Sequence, residues 1–185
     1  LLWASQNCTP KKAFRLGWLA GFLANLGAYS FMYGVITTHS TIPALGGLLL
    51  TCIMALQQGF GQALWLGLCR HLHGRAPTWL LYSSLYVAVE FLYPTVFPLH
   101  LGNCQHACLW TSQWMDLAGP AGLTFVIVSF NVALWRALEA RRFNADTAVG
   151  LGLWLAVLIY GPLRVGQVEL QMKQAPQRLR VAMVE

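Results

Sequence analysis

The chain has 185 residues, 57% of them hydrophobic and only 10% charged, with 12 Lys and Arg against 6 Asp and Glu, a net charge of +6. Apolar stretches of the length found here exceed what a soluble core needs, which excludes an ordinary soluble domain and points to a polytopic membrane protein. The basic excess does not call for nucleic acid as a partner, because eight of the twelve basic residues are accounted for by membrane topology.

From Leu16 to Cys69 there is no Asp, Glu, Lys or Arg. A helix needs about 20 apolar residues at 1.5 Å rise to cross about 30 Å of hydrocarbon, so this run holds two spans and a hinge. The segments are too long and too unalternating for barrel strands, so the spans are helices that satisfy their own backbone hydrogen bonds. Five spans are predicted, at about 16–37, 43–69, 77–93, 116–135 and 147–163. The hinge Thr37-Thr38-His39-Ser40-Thr41-Ile42-Pro43 separates the first two, and Pro43 and Pro77 sit at helix starts, where a missing amide hydrogen costs little.

Lys11, Lys12 and Arg15 precede span one, Arg70 and Arg75 separate spans two and three, and Arg136, Arg141 and Arg142 separate spans four and five. The alternate loops, 37–42 and 94–115, carry no Lys or Arg. The positive-inside rule therefore predicts a cytoplasmic residue 1 and an exterior tail from Arg164 onward. The tail basics Arg164, Lys173, Arg178 and Arg180 are exempt if they open a long exported domain. Arg180-Val181-Ala182-Met183-Val184-Glu185 reads as the first strand of such a domain, and the missing initiator Met predicts that the segment starts inside a larger protein. Most of the eight Trp (Trp3, Trp18, Trp65, Trp79, Trp114, Trp135) fall near predicted span ends, where the headgroup layer suits them. Small-residue spacing such as Gly17-Trp18-Leu19-Ala20-Gly21 predicts close helix packing.

Polar residues near the predicted outer face carry the functional expectations. Glu90, near the end of span three, has no Lys or Arg nearby in sequence and is either a functional carboxylate or one that snorkels to water. The uncharged, aromatic-rich loop that follows is expected to re-enter the headgroup region, which suits a site receiving a lipid. His100, Cys104, His106 and Cys108 match no standard zinc spacing, so no metal site is assigned, and a Cys104–Cys108 disulfide is left open. Asp116 is read as capping span four, and Asn131 as a hydrogen-bonding group between helices or a cavity lining. No complete catalytic constellation is visible, and no catalytic residue or cofactor is assigned.

Certain landmarks occur in order along the whole chain: Lys11-Lys12-Ala13-Phe14-Arg15-Leu16-Gly17-Trp18-Leu19-Ala20-Gly21, Glu90-Phe91-Leu92, Phe97-Pro98, Gly102 with Gln105, Gly119, Gly122-Leu123-Thr124-Phe125 with Asn131, and Leu179-Arg180-Val181-Ala182-Met183-Val184-Glu185. In this order and spacing the chain resembles the membrane domain of bacterial apolipoprotein N-acyltransferases. The resemblance implies an all-α transmembrane bundle over 1–163, and over 164–185 an exported linker with the first strand of an α/β nitrilase-like domain. It implies that two helices precede residue 1 and that the Glu-Lys-Cys catalytic triad lies beyond Glu185, so the fragment alone would be inactive and Cys104 and Cys108 are no substitutes. It also implies a ping-pong reaction in the inner membrane, in which a phospholipid donates an acyl chain through a Cys thioester to the amine of a diacylglyceryl lipoprotein. On that basis Glu90, Phe97, Pro98, Gly102 and Gln105 are the expected substrate-binding residues.

Tyr93, Leu99, Cys104 and Phe31 depart from residues common in the family, which bears on substrate choice. A divergent membrane-anchored nitrilase-like protein, a non-catalytic scaffold and a transporter are the competing readings. The transporter is disfavoured by weakly polar spans without an inverted repeat.

Overall fold

The computed structural model describes residues 1–97, 100–140 and 143–174. Its helices are α1 (Leu2–Ser5), α2 (Pro10–Ala28), α3 (Ser30–His39), α4 (Ala44–His71), α5 (Thr78–Leu92), α6 (Leu109–Ser112), α7 (Met115–Ala140) and α8 (Ala145–Gln174), with a 3-10 turn at Leu101–Gln105. No strand occurs among the described residues. The strand expected at 180–185 lies outside them, as do Pro98, Arg141 and Arg142.

Three helices, α4, α7 and α8, are long and apolar enough to cross a membrane, and a fourth span results if α2 and α3, bent by 50° at Tyr29, count as one. The expectation of five spans is corrected at α5, which has 15 residues. At 1.5 Å per residue that is about 22 Å, short of the hydrocarbon thickness. Its length is set by Pro94. A residue before proline is driven out of the helical region, and Tyr93 is extended at φ −81, ψ 126.

The other termini follow local chemistry. Pro10 opens α2 after Thr9, whose hydroxyl accepts the Lys12 amide at 3.4 Å. Pro43 and Pro77 stand one position before α4 and α5. The start of α7 is broken at Ala118 and at Gly119, whose φ of 63° suits glycine, and Pro120 restarts the helix. Asp116 lies ahead of this break and accepts from Arg164 Nε at 2.6 Å, so it joins α7 to α8 rather than simply capping a span. The last helix accordingly runs past the expected limit at 163.

Glycines set the closest packing. A Cβ on Gly59 would stand 2.5 Å from Phe22 N, and one on Gly21 would stand 2.8 Å from Gly59 Cα, so α2 and α4 meet backbone to backbone. Beneath that contact Ala13, Trp65, Leu66, Cys69, Tyr82, Val128, Val132 and Trp135 form the core. Trp65 donates from Nε1 to the Tyr82 carbonyl at 2.9 Å, and Ser83 shares a buried 2.9 Å hydrogen bond with Ser129. Trp65 and Trp135 are therefore core residues rather than members of a headgroup belt. Asn131 donates to Ile127 O in its own helix, so it ties no second helix.

Arg70, Arg75 and Arg136 gather at one end of the bundle, called here the basic end. Asp146, in the first turn of α8, accepts the Trp79 amide at 3.2 Å and lies 3.4 Å from Arg136 Nε. The opposite end carries the loop after α5. There α3 and the first half of α4 pack on each other through Gly47, Thr37 and Tyr33, while Phe31, Leu45, Leu48, Leu49 and Ile53 are exposed. On a transmembrane bundle such a surface faces lipid.

Candidate functional site

Glu90 sits two residues before the end of α5, and its carboxylate is 12% exposed. Its Oε1 accepts the Leu101 amide at 2.6 Å and its Oε2 lies 3.2 Å from His100 Nδ1. Glu90 therefore does not snorkel to water; it latches the returning loop to the helix end, through a short charge-assisted bond. Immediately after this latch the Gly102 amide donates to Thr124 Oγ1 at 2.8 Å, and a side chain at 102 would collide with the Pro120 carbonyl. The break at Gly119 and the 3-10 turn are thus one fitted piece: the restarted helix offers the surface on which the turn rests.

The loop and helices α2 to α5 line a partly open cavity of about 420 Å³. Glu90 and Phe97 line it, with His100 and Leu101 beside them. Phe97 stacks on Tyr29 with ring centroids 5.8 Å apart, so the loop also closes against the α2–α3 bend. Gly102 is buried behind this wall. Gln105 is turned away: its Oε1 accepts from Thr111 at 3.2 Å, towards α6. Of the five residues expected here, two line the cavity, one supports its wall, one faces elsewhere, and Pro98 lies outside the described residues.

The remaining cavity groups were not anticipated. Gln58 Nε2 donates to Tyr29 Oη at 2.9 Å and Gln62 Nε2 to Tyr86 Oη at 2.8 Å. Gln57, one step round the helix, donates to the Pro94 carbonyl at 2.6 Å and receives the Tyr93 hydroxyl on its own carbonyl. Three glutamines inside an uncharged transmembrane run were the available signal, since polar groups there are costly without a purpose.

Cys104 and Cys108 are free and exposed. Hydrogen bonding with Thr111 holds the Cys108 thiol below the ordinary cysteine range. A second, more apolar cavity of about 600 Å³ lies across Trp65 and Tyr86, between α1 and α7.

The family model described as the apolipoprotein N-acyltransferase N-terminal domain matches residues 1–133. An apolipoprotein N-acyltransferase of Geobacter metallireducens is 28% identical over 192 aligned positions, which cover 100% of this chain and 37% of that protein. The chain therefore spans about 37% of the length of this curated relative. No solved structure matches. Since the matched segment takes in most of the chain and the helices are those of a multi-pass membrane segment, the chain belongs to the apolipoprotein N-acyltransferase N-terminal domain family.

Proposed function

We propose that the whole protein transfers an acyl chain from a phospholipid to the N-terminal amine of a diacylglyceryl-cysteine on lipoproteins, and that this bundle holds the lipids for that reaction. The Glu-Lys-Cys triad of the reaction lies in a nitrilase-like domain outside this chain, and the bundle supplies substrate access and depth. Residue 1 lies on the cytoplasmic side of the bacterial inner membrane, and the segment after α8 lies on the periplasmic side, as the basic loops favour. In a variant with Cys104 and Cys108 replaced by Ser, a cysteine placed at Ser40 then reacts with a membrane-impermeant thiol reagent in cells made permeable only at the outer membrane. Reaction only after the inner membrane is opened would reverse the orientation.

The observation that supports this reading best is the cavity whose wall is the Glu90-latched loop and whose flank is the lipid-facing α3–α4 surface. Glu90 and Phe97 act on the substrate end of that cavity, Gly102 shapes its loop, Gln105 ties that loop to α6, and Pro98 is assigned to substrate binding from the family resemblance alone. In full-length protein reconstituted in vesicles, palmitoyl transfer from phosphatidylethanolamine to a diacylglyceryl lipopeptide falls about tenfold for Glu90→Ala, the scale of a lost charge-assisted hydrogen bond. Membrane insertion is retained. Unchanged transfer by inserted Glu90→Ala protein removes Glu90 from the site, and absence of transfer by the parent protein removes the acyltransferase reading.

A further inference from the structure

Two glutamine–tyrosine pairs face the same cavity, and among the described residues each leaves hydrogen-bonding capacity unused. Tyr29 Oη and Tyr86 Oη each accept a glutamine N–H, which leaves each phenol with a proton to donate. Gln58 Oε1 is buried and has no partner among the described residues. An unpaired amide oxygen beside undelivered donors costs free energy at membrane depth unless an occupant completes the set. The depth is substantial, because Gln58 lies at the middle of the 28-residue α4.

The chemistry of the lining narrows the occupant. Among the described residues no Lys or Arg lines the cavity, and the His100 imidazole there is already engaged by Glu90 at 3.2 Å, so a phosphate would enter without a cation of its own. Glu90 is the carboxylate present, and its two oxygens already meet Leu101 and His100, which leaves an ammonium poorly served. The rest of the wall includes Phe31, Trp65 and Val89. What fits is an uncharged acceptor attached to hydrocarbon.

We infer that Gln58, Tyr29 and Tyr86 recognise the carboxylic ester linkages of an acylglycerol lipid. Turning the Gln58 amide over lets Tyr29 donate to Oε1 and sends Nε2 to one ester carbonyl, while the Tyr86 hydroxyl donates to another. The orphaned oxygen is then satisfied, and every added bond has a donor and an acceptor. The inference rests on the lipid-handling reading above and names the part of the lipid that the cavity holds. Both the phospholipid donor and the diacylglyceryl acceptor carry such esters.

The test uses full-length protein in detergent micelles loaded with a pyrene-labelled phosphatidylglycerol. Displacement by diester phosphatidylglycerol is compared with displacement by its dialkyl ether analogue, which lacks the carbonyls. A second arm compares a diacylglyceryl-cysteine lipopeptide with its dialkyl analogue. The expected preference for ester over ether is about threefold to tenfold in at least one arm, the scale of one or two net hydrogen bonds. Preference in the first arm assigns the donor to this cavity, and preference in the second assigns the acceptor. Gln58→Leu and Tyr86→Phe bring the ratio towards one while the ether-lipid Kd, corrected for the weakened binding of the ester-containing probe, stays at its parent value, which also reports that the variants are folded. Equal displacement by ester and ether in both arms overturns the inference, as does a preference that survives both substitutions. Acyl transfer is measured on the same preparations: transfer without ester preference sinks this inference alone, whereas ester preference without transfer sinks the acyltransferase reading.

Discussion

Between the basic end and the loop end, the bundle changes its means of cohesion. From the basic end to the middle of α4, α2 and α4 are in backbone contact through Gly17, Gly21 and Gly59, a buried aromatic core fills the space between α4, α5 and α7, and Asp146 joins the start of α5 to α7 and α8. Towards the loop end α3 packs on the first turns of α4 through Tyr33, Thr37 and Gly47, and from the middle of α4 a cavity opens beside the core. Side-chain hydrogen bonds carry the cohesion there, from Glu90, Gln57 and Thr124 to loop backbone. The contrast shows how a membrane segment can hold its position rigidly while keeping room for a lipid: close packing where nothing has to enter, and polar latches where something does.

The largest effect belongs to the packed half. Gly59→Val places its side chain against the backbone of Phe22 and Gly21, neither of which can retreat without parting α2 from α4. Overpacking of this kind costs about 1–3 kcal/mol or more. Thermal unfolding in detergent should show a clear loss of stability for Gly59→Val, whereas Gly34→Ala, with nothing within 4 Å, should not. Equal stability of the two variants would dissolve the contrast.

An intermediate effect belongs to the latched half. Gly102→Val collides with the Pro120 carbonyl and lifts the 3-10 turn, so substrate turnover falls severalfold with little change in thermal stability. A stability loss matching that of Gly59→Val would show the loop to be part of the rigid base.

The smallest effect concerns protonation at the basic end. Burial, followed by the Arg70 and Arg136 charges, holds the His73 imidazole below its ordinary value, and its Nδ1 lies 3.1 Å from the Tyr82 hydroxyl. A group with a depressed folded value binds protons more readily when unfolded. Its contribution is therefore present above about pH 6.5 and is lost as pH falls through the folded value. His73→Gln should flatten that acid limb slightly in a thermal-stability profile; an unchanged profile would mean that His73 is indifferent to folding.

Much of the architecture was legible because the bilayer imposes it. Long uncharged runs, Pro43 and Pro77 at helix starts, and the small-residue spacing of Gly17 and Gly21 each have one main physical reading. What misled was local or tertiary. Pro94 acts backward on Tyr93, so an apolar run of span length yields a shorter helix. Trp65 and Trp135 resemble belt residues by position, yet only the packing of α4, α5 and α7 shows that they are buried. For the cavity, Glu90 and Phe97 stood out as polar and aromatic landmarks near a loop. Gln58 and Gln62 did not, because their meaning depends on Tyr29 and Tyr86 arriving from other helices.

The shortness of α5 has a mechanical consequence for the surrounding membrane. A helix of about 22 Å beside neighbours that exceed 30 Å leaves a hydrophobic mismatch of about 8 Å on one flank. Bilayers meet such a deficit by thinning, at a modest cost for each ångström. A dimple in the leaflet beside α5 would bring lipid ester groups down towards the level of Glu90 and Gln58, so the protein would shorten a substrate's path by deforming the solvent it comes from.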